Sequence, residues 1–216
     1  MMQERCSSSG GCWESGFELS YQLAREQLAA MNDIPEQCRK SGARLVSARE
    51  IALNYLNERY RIAVPDGEVL EGSSDAEVAL RDKILILHYF IGARGTPATG
   101  RLIAYKQLLG GVSYFPAFSH RAIAPLVRGF GRSPELLIGA ASRLGGHETA
   151  HGDVSVSINA FDHVPITLVL WRGDEEVAPN GSILFDANIP DYLSTEDVTV
   201  LCETVVRKMV RGGHPS

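Results

Sequence analysis

The sequence predicts a single α+β domain, and three stretches carry that prediction. Val154, Val156 and Ile158 alternate with polar residues, as in a half-buried strand. The hairpin partner that follows, Ile166 to Trp171, is apolar almost throughout and so belongs nearer the middle of its sheet. The run AEVALRDKILILHYFIGAR from Ala76 is amphipathic in its first half and apolar on all sides in its second, the pattern of a buried central helix. The last helix, 196–211, opens with Glu196 and Asp197 and ends with Arg207, Lys208 and Arg211, matching the helix dipole. Short strands at 60–64, 68–70, 102–105, 154–160, 166–171 and 182–186 then form a mainly antiparallel sheet packed on the 76–93 and 196–211 helices.

In chain order, residues 1–15 are rich in Ser and Gly and read as a mobile segment ahead of a single domain at 16–212. Phe17, Tyr21, Leu23, Leu28 and Met31 have the spacing of an amphipathic helix. A short helix follows at 35–40, stopped by Gly42, and Ser47 caps another in which Ile51, Tyr55 and Leu56 share a face. Pro65-Asp66-Gly67 turns a hairpin, because Asp-Gly supplies the positive φ such turns need. Ser73 to Asp75 caps the central helix; Gly95 to Gly100 is a loop before the 102–105 strand. Tyr114 to Phe118 reads as an extended aromatic patch ahead of a helix over 121–130. Ser133-Pro134 opens the next helix and Gly145-Gly146 closes it. A capped helix begins near Ser194.

The chain's 216 residues suffice to bury one core, and 44% hydrophobic with 22% charged residues is ordinary for a soluble globular protein. A net charge of −5 leaves no basic stripe for phosphates, which argues against nucleic acid as a partner. No window approaches the ~18 apolar residues of a membrane span, and the N-terminus lacks a basic start followed by an apolar stretch, so a cytoplasmic location is expected. Four cysteines without a C-x-x-C pair support neither a zinc ribbon nor an iron–sulfur cluster.

Four features have chemical content. His147-Glu148-Thr149-Ala150-His151 matches H-E-x-x-H, which holds zinc when a helix points residues i and i+4 at one metal and the glutamate serves as base. Flanking glycines and a following strand make it a connector here, so a zinc-dependent hydrolase is the alternative and a solvated loop the leading expectation. Asp174-Glu175-Glu176 reads as a solvated acidic turn at a strand exit, with a hard divalent cation held together with Asp186 as the alternative. His88, in the all-apolar half of the central helix, is either a satisfied core histidine or an axial ligand to a tetrapyrrole metal. Tyr114, Phe115 and Phe118 with His120 and Arg121 suit a groove for a flat anionic ligand, or else core aromatics beside a snorkelling arginine. No phosphate-binding loop, dinucleotide fingerprint or nucleophile elbow is present.

LRDKILILHYF at 80–90, Gly95-Thr96-Pro97, YFPAF at 114–118, WRGDEE at 171–176, ILFD at 183–186 and YLSTED at 192–197 occur in an order that resembles the bacterial and archaeal family named domain of unknown function 3786. The resemblance runs from Phe17 to the final helix. It implies an anaerobic redox or one-carbon setting near corrinoid chemistry, and an iron–sulfur protein as partner, since some members carry an added iron–sulfur domain. It carries over no catalytic residues. The iron–sulfur extension is missing from this chain, and HETAH falls where the family has a connector. Together these readings predict a binding or accessory module for a small, cofactor-like ligand, with tetrapyrrole or corrinoid as the class and an enzyme the less favoured outcome.

Overall fold

A computed structural model describes residues 11–72 and 77–212, residues 11–15 by backbone alone. Helix α1, Gly11–Ala29, begins inside the stretch expected to be mobile. Helix α2, Ile34–Ser41, starts on Asp33, whose carboxylate accepts from the Glu36 amide, and stops at Gly42 with φ 73°. Strands β1 (Arg44–Ser47), β2 (Glu50–Tyr55), β3 (Glu58–Ala63) and β4 (Val69–Glu71) form one antiparallel meander in that order.

Two expectations are corrected in this region. The segment after Ser47 is not a helix but the β2–β3 hairpin, with Leu56 and Asn57 both at positive φ (50° and 68°) as a two-residue turn demands. Ile51 and Tyr55, at helical spacing, also lie on alternate strand positions, so the apolar pattern fits both structures. The single sheet is two sheets. Strands β5 (Leu102–Ala104), β6 (His147–Thr149), β7 (Val154–Phe161), β8 (Val164–Trp171) and β9 (Asn180–Asp186) make a second antiparallel one, ordered β5-β9-β8-β7-β6. As its apolar sequence requires, β8 takes the middle.

Central helix α3, Leu80–Gly92, packs against α1, α2 and the C-terminal helix α7, Thr195–Gly212. The cap foreseen at Ser73 to Asp75 falls outside the described residues, and the expected start at Ala76 is corrected: residues 77–79 are not helical and α3 begins at Leu80, after Ala79, with no side-chain cap. Between α3 and α7 come α4 (Gly111–Phe118), a π-helical turn (Ser119–Ile123), α5 (Ala124–Phe130) and α6 (Leu136–Ser142). The aromatic stretch at 114–118 is therefore helical rather than extended.

One core runs through both sheets and the helices, including Tyr55, Tyr89, Phe161 and Phe185, all essentially inaccessible. Tyr89 stacks on Phe161 with centroids 4.0 Å apart, and Phe161 in turn on Tyr55 at 4.8 Å. Such pairs add about 0.5–1.5 kcal/mol each beyond their burial. The loop ahead of β5 is held by Asp186 at the end of β9. Its buried carboxylate accepts from the amides of Thr99, Gly100 and Asn188 and from the Thr99 hydroxyl. Tyr192 and Asn188 both donate to the Thr96 carbonyl. This network is what ties Gly95-Thr96-Pro97 to ILFD and YLSTED, strings far apart in the chain.

Candidate functional site

A cleft of about 640 Å³ opens where the N-terminal half of α1 meets α3 and the start of α7. Residues at helical spacing build it. Arg81, Ile84, Leu85 and His88 form one face of α3; Asp197, Val200 and Glu203 form one face of α7; Phe17 and Ser20 come down from α1. Arg81 bonds to Glu203 and His88 to Asp197, so the two helices run antiparallel across the cleft floor.

At one end, His88 Nδ1 lies 2.7 Å from Asp197 Oδ1. The other Asp197 oxygen accepts the Ser194 hydroxyl at 2.6 Å, and the Asp197 amide returns a bond to that hydroxyl at 3.1 Å. Ser194 and Asp197 are thus the capping box that starts α7, and the same carboxylate orients the imidazole. With Nδ1 engaged, Nε2 is the remaining ring nitrogen, and it has no hydrogen-bond partner among the described residues. Burial alone would lower the His88 pKa, but the hydrogen bond and charge of Asp197, with Glu196 nearby, raise it above its ordinary 6.5. The Asp197 carboxyl is held below 3.8: burial opposes this, and the His88 and Ser194 hydrogen bonds prevail.

At the other end, Glu203 bridges two arginines. One oxygen takes Arg81 Nη1 at 2.9 Å; the other takes Nε and Nη2 of Arg121 at 2.8 and 2.6 Å. Burial again works against ionisation, yet the two guanidiniums keep the Glu203 carboxyl below its usual 4.5. Arg81 also lies over the Phe17 ring, 4.9 Å from its centroid. Arg121 belongs to the π-helical turn, a local rewinding common at functional sites.

Of the residues singled out from sequence, only His88 and Arg121 meet in this cleft. Tyr114 is 64% exposed, and His120 is exposed on the π-helical turn. Phe118 is buried, stacked on Tyr105 at 3.9 Å. Phe115 packs under the Lys106 ammonium and, with Phe118 and Trp171, lines a separate cavity of about 380 Å³. The expected aromatic groove with His120 and Arg121 is therefore not one surface. Asp197, Glu203 and Arg81 went unrecognised: Asp197 was legible as a cap, but its partner lies 109 positions away.

HETAH takes a different shape from its motif. His147, Glu148 and Thr149 are edge strand β6, paired with Ser157, Val156 and Ser155, and His151 lies in the turn to β7. Strand neighbours point to opposite faces, so the i, i+4 convergence of two imidazoles on a helix is not formed. No three His, Cys, Asp or Glu side chains converge among the described residues. Asp174 accepts from the amides of Glu176 and Val177, making the acidic segment a self-capped turn.

The fold is of the α+β class, and its cleft of about 640 Å³ is lined by α1, α3, α7 and the π-helical turn. The chain belongs to the family described as Domain of unknown function (DUF3786), whose match spans residues 33–208. No curated protein and no solved structure matches it significantly. Helix α1 precedes the matched region, so Gly16, Phe17 and Ser20 add a wall to a cleft whose other lining lies within it. No helix among the described residues is long and apolar enough to cross a membrane.

Proposed function

We propose that this protein is a binding module that takes a cofactor-like small molecule, a tetrapyrrole or corrinoid, in the α1–α3–α7 cleft, with His88 as the axial ligand to its metal. The observation that carries the reading is the Ser194–Asp197–His88 relay on the cleft floor. A histidine that ligates a metal through one nitrogen characteristically gives its other N–H to a carboxylate, which fixes the tautomer and strengthens the ligand. His88 is prepared in that way, with Nε2 left over. The volume of about 640 Å³ falls in the range of small-molecule sites, and Phe17, Ile84, Leu85 and Val200 supply apolar contact for a macrocycle. The bound metal would contribute redox or ligand-exchange chemistry; the chain's own residues bind and orient. Asp197 also fixes a direction with pH: because His88 must shed its proton to ligate, affinity falls as pH drops below the raised His88 pKa. A partnership with an iron–sulfur protein is compatible with this role. Native mass spectrometry of the chain from its own host is the test. The expected result is a non-covalent adduct of tetrapyrrole or corrinoid mass that disappears in His88→Ala. A bare chain in every preparation, or an adduct that the variant keeps, overturns the proposal.

A further inference from the structure

Resting on that reading of the cleft, we infer that its ligand carries an acidic group, and that Arg81 and Arg121 receive it in competition with Glu203. Arg81 and His88 are seven positions apart, which places the two polar ends about 10 Å apart along α3. Ile84, Leu85 and Val200 lie between them. A ligand seated there meets a basic end, an apolar floor and then an imidazole flanked by the Asp197 and Glu196 carboxylates, so the end that suits an acid is the one at Arg81 and Arg121.

The basic end holds two guanidiniums against a single carboxylate, an excess of one positive charge. Arg81 gives Glu203 only its Nη1; its Nε and Nη2 have no hydrogen-bond partner among the described residues. Both arginine side chains are about one-third exposed, toward the cleft they line, so an incoming acid reaches them without unfolding anything. Guanidinium forks favour carboxylates through paired, charge-assisted bonds. Glu203 already sits in the geometry such an acid would adopt: it holds the arginines in place in the free protein and contends with the ligand for the same donors.

Iron protoporphyrin IX and its dimethyl ester share a metal and a ring but differ in carboxylate charge, so they separate the two ideas. Affinity is read from absorbance titration of the full chain. The wild type is expected to bind the free acid at least about tenfold more tightly than the ester. Arg121→Gln and Arg81→Gln should each erase most of that preference while the spectrum of the His88-bound metal persists. Glu203→Gln should act in the opposite sense, tightening the acid by a further several-fold and leaving the ester unchanged. Equal binding of acid and ester by the wild type, or a Glu203→Gln variant that loses the acid preference, overturns the inference and leaves the His88 reading standing. Failure of both compounds to bind overturns the inference together with the tetrapyrrole reading of the cleft.

Discussion

Asp197 does two jobs with one carboxylate, closing the first turn of α7 through Ser194 and holding the His88 ring. Its consequence for stability follows from the two shifts. His88 has a folded pKa raised above 6.5, so its contribution is complete below that pH and is lost as pH rises through the folded value. Asp197 is depressed below 3.8, so its contribution is complete above that pH and is lost as pH falls through the folded value. The pair therefore stabilises most between about pH 4 and 6.5. Urea unfolding across pH 5 to 9 should show the wild type losing stability on the alkaline side, with that component missing in His88→Gln. Parallel profiles for the two proteins would mean that the pair does not form. At this scale the sequence exposed part of the site. His88 drew notice as a polar residue in an apolar helix, and Arg121 as a cation beside aromatics. Asp197 and Glu203 gave no such signal, since both read as ordinary helix charges until the fold aligned α7 with α3.

Among the elements, those with a strong period or strong punctuation were legible. The apolar half of α3, the β7–β8 hairpin, β9 and the dipole-matched α7 stand where their residues place them, while α3 starts four residues later than expected, at Leu80. Two were misread, each for its own reason. Ile51 and Tyr55 fit a helical face and a strand face alike, and the turn that decides between them uses Leu56 and Asn57 without a glycine. Tyr114 to Phe118 contains Pro116, which suggests an extended segment, yet Pro116 lies inside α4, and the winding changes to π-helical directly after it. HETAH shows the converse hazard, because a motif has its chemistry only on the element it needs. The Asp186 network is the element-level feature most open to attack: it holds the loop before β5 to the end of β9 through one buried carboxylate. Replacing it by Ala strands several amides and should cost about 3 kcal/mol, seen as a lower urea midpoint. A change under about 0.5 kcal/mol would show that the loop is held by Tyr192 and Asn188 instead.

Across the molecule, the cleft exists because two sheets and a helical layer share one core. Helix α3 packs mainly on α1 and also on α2 and α7, reaches the sheets through Tyr89 on Phe161 and Asp82 on Tyr55, and leaves the cleft open beside the N-terminal half of α1. The α+β class was readable because its determinants are local periods. The division into two sheets was not, since pairing order depends on contacts between distant strands such as β5 and β9. The site's location is likewise a property of the whole fold, where α1, α3, α7 and the π-helical turn converge. Two histidines noted in the sequence, His88 in the cleft and exposed His120, make rival predictions for any metal-bearing ligand. Absorbance titration with iron protoporphyrin IX of the wild type, His88→Ala and His120→Ala decides between them. The cleft requires that His120→Ala bind and absorb like the wild type while His88→Ala loses the histidine-ligated band; a band that survives in His88→Ala and vanishes in His120→Ala would contradict it.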